Sequence, residues 1–168
     1  MLRLIKDERG AYAVPAMYAV IALLSLSLAV YGISWYWLGV LQENIQTKLD
    51  MSNWACYPSL HLENLANTAS VALVETEARK TFELMLARQL NLDETTLQAP
   101  SGSSLQQLKI DTFKIYGRNE VPATLQGGRI ILHSPAIESQ ITAFVRIPFI
   151  DRSFPFTFRS VTELPQTP

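Results

Sequence analysis

The sequence predicts an α+β protein: a long N-terminal transmembrane helix, a second, amphipathic helix and a small antiparallel β-sheet. Three observations predict it. From Gly10 to Gln42 no charged residue occurs, 33 positions in a row. From about 60 to 92, apolar residues recur at helical spacing. Beyond 108, short β-rich runs are separated by turn residues. The boundaries read as 1–10 (cytoplasmic leader), 11–41 (transmembrane helix), 42–97 (extracytoplasmic helical region) and 98–168 (small antiparallel sheet region).

Composition narrows the class. With 48% hydrophobic and 17% charged residues the chain is too apolar to remain unfolded in water. A net charge of −1, without a Lys/Arg cluster, gives no electrostatic footprint for nucleic acid. The lone cysteine, Cys56, excludes an intrachain disulfide.

As a helix, 11–41 would be roughly 45 Å long, more than a hydrocarbon core of about 30 Å requires. Tyr31, Trp35, Tyr36 and Trp37 gather at its far end, where amphipathic rings favour the membrane–water boundary. Arg3, Lys6 and Arg9 precede the run, while only Lys48 follows at a comparable distance, beside Glu43 and Asp50. The positive-inside rule therefore places the N-terminus in the cytoplasm and the rest of the chain outside. A cleaved secretory signal fits poorly: its apolar region is about 7–15 residues long and ends on small side chains, not on Trp35-Tyr36-Trp37. Ala13, Ala16, Ala19 and Ala22 recur every three residues, a small-residue stripe that would let another apolar helix approach closely. Pro15 is compatible with a helix starting near Val14, because a first-turn proline lacks only an N–H that has no partner there.

Helical character continues past the apolar run, with Leu38, Leu41, Ile45 and Leu49 on one side, until Tyr57-Pro58 interrupts it. The second helix presents Leu62, Leu65, Ala69, Ala72, Val74, Ala78, Phe82, Met85, Leu86 and Leu90. Its charged residues form a solvated face, with Glu75 and Arg79 placed as an i,i+4 pair. Loop chemistry at Ala99-Pro100-Ser101-Gly102-Ser103-Ser104 leads into strands expected at 108–116, 129–133, 141–150 and 154–161. Gly127-Gly128 is a hairpin-turn candidate. Ile141, Ala143, Val145 and Ile147 share one face. Phe154, Phe156 and Phe158 alternate with Pro155, Thr157 and Arg159, which reads as a half-buried strand contributing to the core, with Pro155 marking a sheet edge.

Chemistry-bearing patterns are scarce. His61 and Cys56 straddle Tyr57-Pro58 without a second ligand pair at structural-zinc spacing, so no metal is expected. His133 precedes Ser134-Pro135 and reads as a turn residue. No serine stands in a G-x-S-x-G elbow, and Gly127-Gly128 lacks the lysine and following helix of a phosphate loop. Asp7-Glu8 and Asp93-Glu94 are sequence neighbours, not a spaced acid/base pair. The terminal Leu164-Pro165-Gln166-Thr167-Pro168 differs from a sortase signal by proline in place of glycine. The expectation is a protein that is not an enzyme, with no cofactor and no small-molecule substrate.

The segment Arg9-Gly10-Ala11-Tyr12-Ala13-Val14, on a short charged leader and ahead of an apolar helix, resembles the N-terminus of TadE-like pseudopilins, minor components of tight-adherence (type IVc) pilus systems. Ala78, Phe82 and Leu86, on a helix that feeds a small sheet with Pro/Phe-rich strands, are similar to the Gram-positive members. The resemblance implies a pilin-like fold and cleavage by a prepilin peptidase between Gly10 and Ala11. It also implies partnership with other pilin-like subunits or pilus assembly proteins. Pro15 stands where that family's pattern has glutamate. The alternative reading is a bitopic, signal-anchored membrane protein whose outer domain binds a partner.

Overall fold

The computed structural model describes residues 8–57, 68–117, 120–125, 130–147 and 152–163, with side-chain surroundings in the two helices from 15 and from 75 onward. Its elements are α1 (Glu8–Ala55), α2 (Thr68–Leu90), β1 (Leu105–Tyr116), β2 (Ala123–Leu125), β3 (Ile130–Leu132), β4 (Ala136–Arg146) and β5 (Ser153–Glu163). This is the α+β arrangement read from the sequence, with an apolar N-terminal helix, a second helix and a small antiparallel sheet. The chain divides into two units, Met1–Val40 and Leu41–Pro168.

In the second unit the last part of α1 is amphipathic. Ile45, Leu49, Ser52, Asn53 and Cys56 follow at steps of four, three, one and three, and all are fully buried. That spacing keeps them on one side of the helix. Side chains of α1, and Tyr57 just after it, meet β5 in order: Gln46 Nε2 donates to the Arg159 carbonyl at 3.1 Å, Asn53 Nδ2 to Thr162 Oγ1 at 3.5 Å and Tyr57 OH to the Glu163 carbonyl at 2.7 Å. The helix therefore runs in the same direction as β5, alongside it.

The second helix buries Ala78, Phe82, Leu86 and Ala87, while Met85 is 37% exposed. The Phe82 ring lies 5.0 Å from that of Phe113 on β1. The helix stops by a defined motif. Asn91 takes φ 54°, Leu92 N–H bonds the Ala87 carbonyl at 2.8 Å and Asn91 N–H bonds the Arg88 carbonyl at 3.3 Å. This is a Schellman cap with asparagine in the left-handed position. The expected start near 60 lies outside the described residues, and the cap ends the helix two residues before Leu92. Arg79 pairs with Glu83 at 2.9 Å, not with the expected Glu75; with both partners well exposed the pair contributes little to stability.

The three-stranded sheet has the order β1-β4-β5, antiparallel throughout. Its helix-facing side carries Ile137, Ser139, Ile141, Ala143 and Val145 from the central strand, opposite Thr162, Ser160, Phe158, Phe156 and Phe154 on β5. Leu105, Leu108, Phe113 and Ile115 complete that side from β1, whose register shifts twice. Pro155 does lie in an edge strand, where its missing N–H disturbs no ladder. The opposite side is covered at one end by the β2–β3 hairpin, where Tyr116, Leu125, Leu132 and Ala136 cluster with Val121, Ala123, Ile130 and Val161.

Several boundaries differ from expectation. β4 begins at Ala136, five residues before the expected 141, since Glu138-Ser139-Gln140 hides the strand from a pattern search. β2 is only three residues long and shows no alternation to detect. β5 continues to Glu163. The hairpin expected at Gly127-Gly128 is present as the antiparallel β2–β3 pair, although those glycines lie outside the described residues. The phenylalanine stripe divides: Phe158 is buried, Phe156 half-buried, and Phe154 37% exposed.

Candidate functional site

The first unit is a helix whose described side chains, from Pro15 on, are apolar on all sides. Met17, Tyr18, Val20, Ile21, Leu23 and Leu24 lead an exposed series that continues to Val40. Exposed apolar residues on every face are what a lipid environment stabilises and water does not. Two of its hydroxyls are satisfied within the helix: Ser27 Oγ donates to the Leu23 carbonyl and Ser34 Oγ to the Val30 carbonyl, each at 2.8 Å. Such back-bonding removes the cost of an unpaired hydroxyl in hydrocarbon. Among the described residues this is the one helix long and apolar enough to cross a membrane.

The aromatic group lies on the helix surface. Tyr31 is 62%, Trp35 59% and Tyr36 77% exposed, and Trp37 is half-buried. Tyr31 and Trp35, one helical step apart, meet edge to face with ring centroids 6.1 Å apart.

Ala16, Ala19 and Ala22 are exposed. Three-residue steps fall short of a full turn by about 60°, so Ala16 and Ala19 nearly share a face while Ala22 winds away. Ala13 belongs to the same helix, but its side-chain surroundings lie outside those described.

The Gly10–Ala11 junction falls inside α1, which starts at Glu8 and contains Pro15. The expected start near Val14 is therefore corrected, and Pro15 is not in the first turn. Proline's φ near −65° is compatible with a helix, so the cost is the missing N–H and the ring's crowding of the carbonyl four residues earlier. That carbonyl belongs to Ala11. The helix is thus weakened at the junction itself.

Elsewhere, Glu138, Tyr116, Asp93 and Glu94 are engaged in structural contacts. Glu138, 6% exposed, accepts from Tyr116 OH at 2.7 Å and pairs with the Arg159 guanidinium. The row crosses all three strands of the sheet beneath the β2–β3 hairpin, which is why an isolated Glu138 gave no sequence signal. Burial, then the Glu138 hydrogen bond and charge, push the Tyr116 hydroxyl up to about 12. Asp93 Oδ1 accepts from the Thr95 and Thr96 amides and the Thr96 hydroxyl, bonds that hold its carboxyl below the usual range. Glu94 pairs with Arg88 at 2.8 Å. His133 is exposed, and its backbone N–H donates to Glu163, while His61 lies outside the described residues. Among the described residues no three His, Cys, Asp or Glu side chains could hold a metal ion together.

Cys56 is fully buried, its Sγ 3.2 Å from the Ser52 carbonyl and 3.4 Å from that of Ala78. Burial pushes the thiol up to about 12, the opposite of an activated nucleophile. A maleimide is expected to leave Cys56 unmodified in the folded chain at about pH 8 and to label it within minutes in denaturant. Mass spectrometry reads the difference, and rapid labelling of folded protein would contradict the buried placement.

Fold and helix together define a coarse class: an α+β unit joined to one N-terminal helix that could span a membrane, as in a bitopic protein. Compared with protein-family models, with curated proteins and with solved structures, the chain matches none.

Proposed function

We propose that the chain is a minor pilin-like, TadE-like membrane subunit, acting in assembly of a type IVc (tight-adherence) pilus or a related secretion filament. In this reading it is not an enzyme and takes no cofactor, nucleic acid or small-molecule substrate. The N-terminus lies in the cytoplasm, α1 spans the cell membrane, and the α+β unit is extracytoplasmic, with entry into an extracellular pilus as its end state. Its partners are membrane lipid, other pilin-like subunits or pilus assembly proteins, and a prepilin peptidase acting at Gly10–Ala11.

The observation that carries the reading is the Arg9-Gly10-Ala11 junction at the head of a charge-free helix. Pro15 supports it, because a peptidase needs an extended substrate and the helix is missing a hydrogen bond at Ala11. The second reading, a bitopic signal-anchored protein with a partner-binding outer domain, is favoured by the absence of a glutamate at Pro15.

Intact mass and N-terminal sequencing of membrane-extracted protein, with and without a prepilin peptidase, separate the two. A mature chain beginning at Ala11 is expected. Pro15→Ala, which restores the bond to the Ala11 carbonyl, is expected to slow cleavage about tenfold or more, given the ~3 kcal/mol that an interior proline costs a helix. Retention of 1–10 whenever the peptidase is present would remove the processing claim and leave the signal-anchor reading.

A further inference from the structure

We propose that α1, over the part that belongs to the second unit, pairs in parallel with α1 of a second copy of this chain, along a seam formed by Asn44, Thr47, Met51 and Trp54. The proposal names a partner where the proposed function names only a kind of partner. It rests on the second unit alone, so its test is separate from cleavage at Gly10–Ala11.

The four residues follow at steps of three, four and three, the spacing of a and d positions over two heptads. All four are exposed. Ile45, Leu49, Ser52, Asn53 and Cys56, which are fully buried, occupy only b, c and f positions in the same count. The side of the helix turned to its own sheet is therefore the back of the seam, and the two do not compete. Met51 at 55% and Trp54 at 54% are the most exposed large apolar side chains among the described residues of the second unit. They stand about one turn apart, and the Trp54 ring lies 4.8 Å from that of Tyr57. An apolar patch of this kind, rimmed by polar residues, marks a surface that another chain covers.

Charge selects the partner and its direction. Glu43 and Lys48 flank the seam at g and e positions. Five residues apart, they point about 140° away from each other around the helix and do not meet within one chain. Among the described residues neither belongs to an ion pair. In a parallel, in-register pair each g position faces the e position of the next heptad on the other helix. Glu43 then meets Lys48 of the second copy, and the two-fold symmetry makes that contact twice. An antiparallel pair instead brings the g flank against itself, setting Glu43 against the like-charged Asp50. Asn44, at an a position, meets its own counterpart in the parallel register, the way a single seam asparagine fixes alignment in coiled coils. Both features are self-complementary, which is why the occupant is a second copy.

A two-heptad seam is smaller than a standard interface of roughly 1,600 Å², so association is weak and a covalent trap is the suitable readout. Full-length, detergent-solubilised Thr47→Cys, oxidised with copper phenanthroline, is expected to give a disulfide-linked dimer as its main product. Glu77→Cys, at an exposed position on α2, should give only the collisional background, and the parent chain with its buried Cys56 should give none. Glu43→Lys and Lys48→Glu should each lower the Thr47→Cys crosslink about threefold, the effect of losing two exposed ion pairs. Combined, the two reversals should restore it. Crosslinking of Thr47→Cys no higher than that of Glu77→Cys overturns the proposal. Crosslinking that charge reversal leaves unchanged, or that the double reversal does not restore, overturns it as well, because the contact then lies elsewhere or runs in another register. Oxidation in native membranes that links Thr47→Cys to a chain of different mass, and not to its own copy, assigns the seam to a foreign partner and also overturns it. Retention or loss of residues 1–10 in the same samples decides the processing claim separately.

Discussion

Phe82→Ala is expected to destabilise the α+β unit by about 3–5 kcal/mol, the range for an aromatic ring removed from a packed core. Phe82 is fully buried, stands between Ala78 and Leu86 on the sheet-facing stripe of α2, and lies with its ring 5.0 Å from Phe113. Truncation removes both the buried area and the ring contact, and the neighbouring backbone of helix and sheet limits collapse into the void. Met85→Ala, at a position 37% exposed on the same helix, is expected to cost about 1 kcal/mol or less. The sheet's amide band in detergent-solubilised, full-length protein reports both variants through the urea midpoint. Equal midpoints would mean that α2 does not pack on the sheet through Phe82.

The second large effect is expected at Arg159. Arg159→Met leaves the Glu138 carboxylate buried with only the Tyr116 hydroxyl as partner, and breaking such a pair costs about 3–5 kcal/mol. The Arg159 side chain is 25% exposed, so water offsets part of the loss and the lower end of that range is expected. Adding Glu138→Met to Arg159→Met should recover most of the stability, because an apolar pair of similar volume has no charge to desolvate. Failure of the double variant to recover would place the contribution in the geometry of the row and not in its charge.

Tyr116 gives the same cluster a pH signature. Its hydroxyl is raised to about 12, by burial first and by Glu138 next, and Tyr57 is raised to about 12 by burial and the Glu163 charge. Both groups are neutral when protonated, and an unfolded tyrosine titrates near 10. The folded chain holds these protons more tightly, so their contribution is full below about pH 10 and is lost as pH rises through about 12. Thermal midpoints should fall across that window. Tyr116→Phe should flatten the fall while lowering the midpoint at neutral pH, since Glu138 loses a donor.

Much of the plan was legible in the sequence because local pattern and burial agree there. The charge-free run, the stripe of Ala78, Phe82 and Leu86, and the alternation of Ile141, Ala143 and Val145 each follow the period of their element. The missed features are those whose reason is non-local. Glu138 starts a stretch that reads as polar loop, yet it lies in the central strand because Arg159 and Tyr116, 21 and 22 residues away in sequence, meet it there. Ser52 and Asn53 look like a solvated helix end but are fully buried, with Asn53 reaching Thr162 on β5. The stop of α2 at Leu90 depends on Asn91 adopting a left-handed conformation, for which asparagine is permissive but not obligatory.

The same division holds for the functional surfaces. The sequence by itself determined the membrane-compatible helix, its aromatic end and the Arg9-Gly10-Ala11 junction, because hydrophobicity, charge and chain order are local properties. Tertiary structure decided what became of the Phe154, Phe156 and Phe158 stripe. Alternation put all three rings on one side of β5. Only packing within the α+β unit buries Phe158 and leaves Phe154 37% exposed, because burial depends on what lies over each ring and not on the alternation itself.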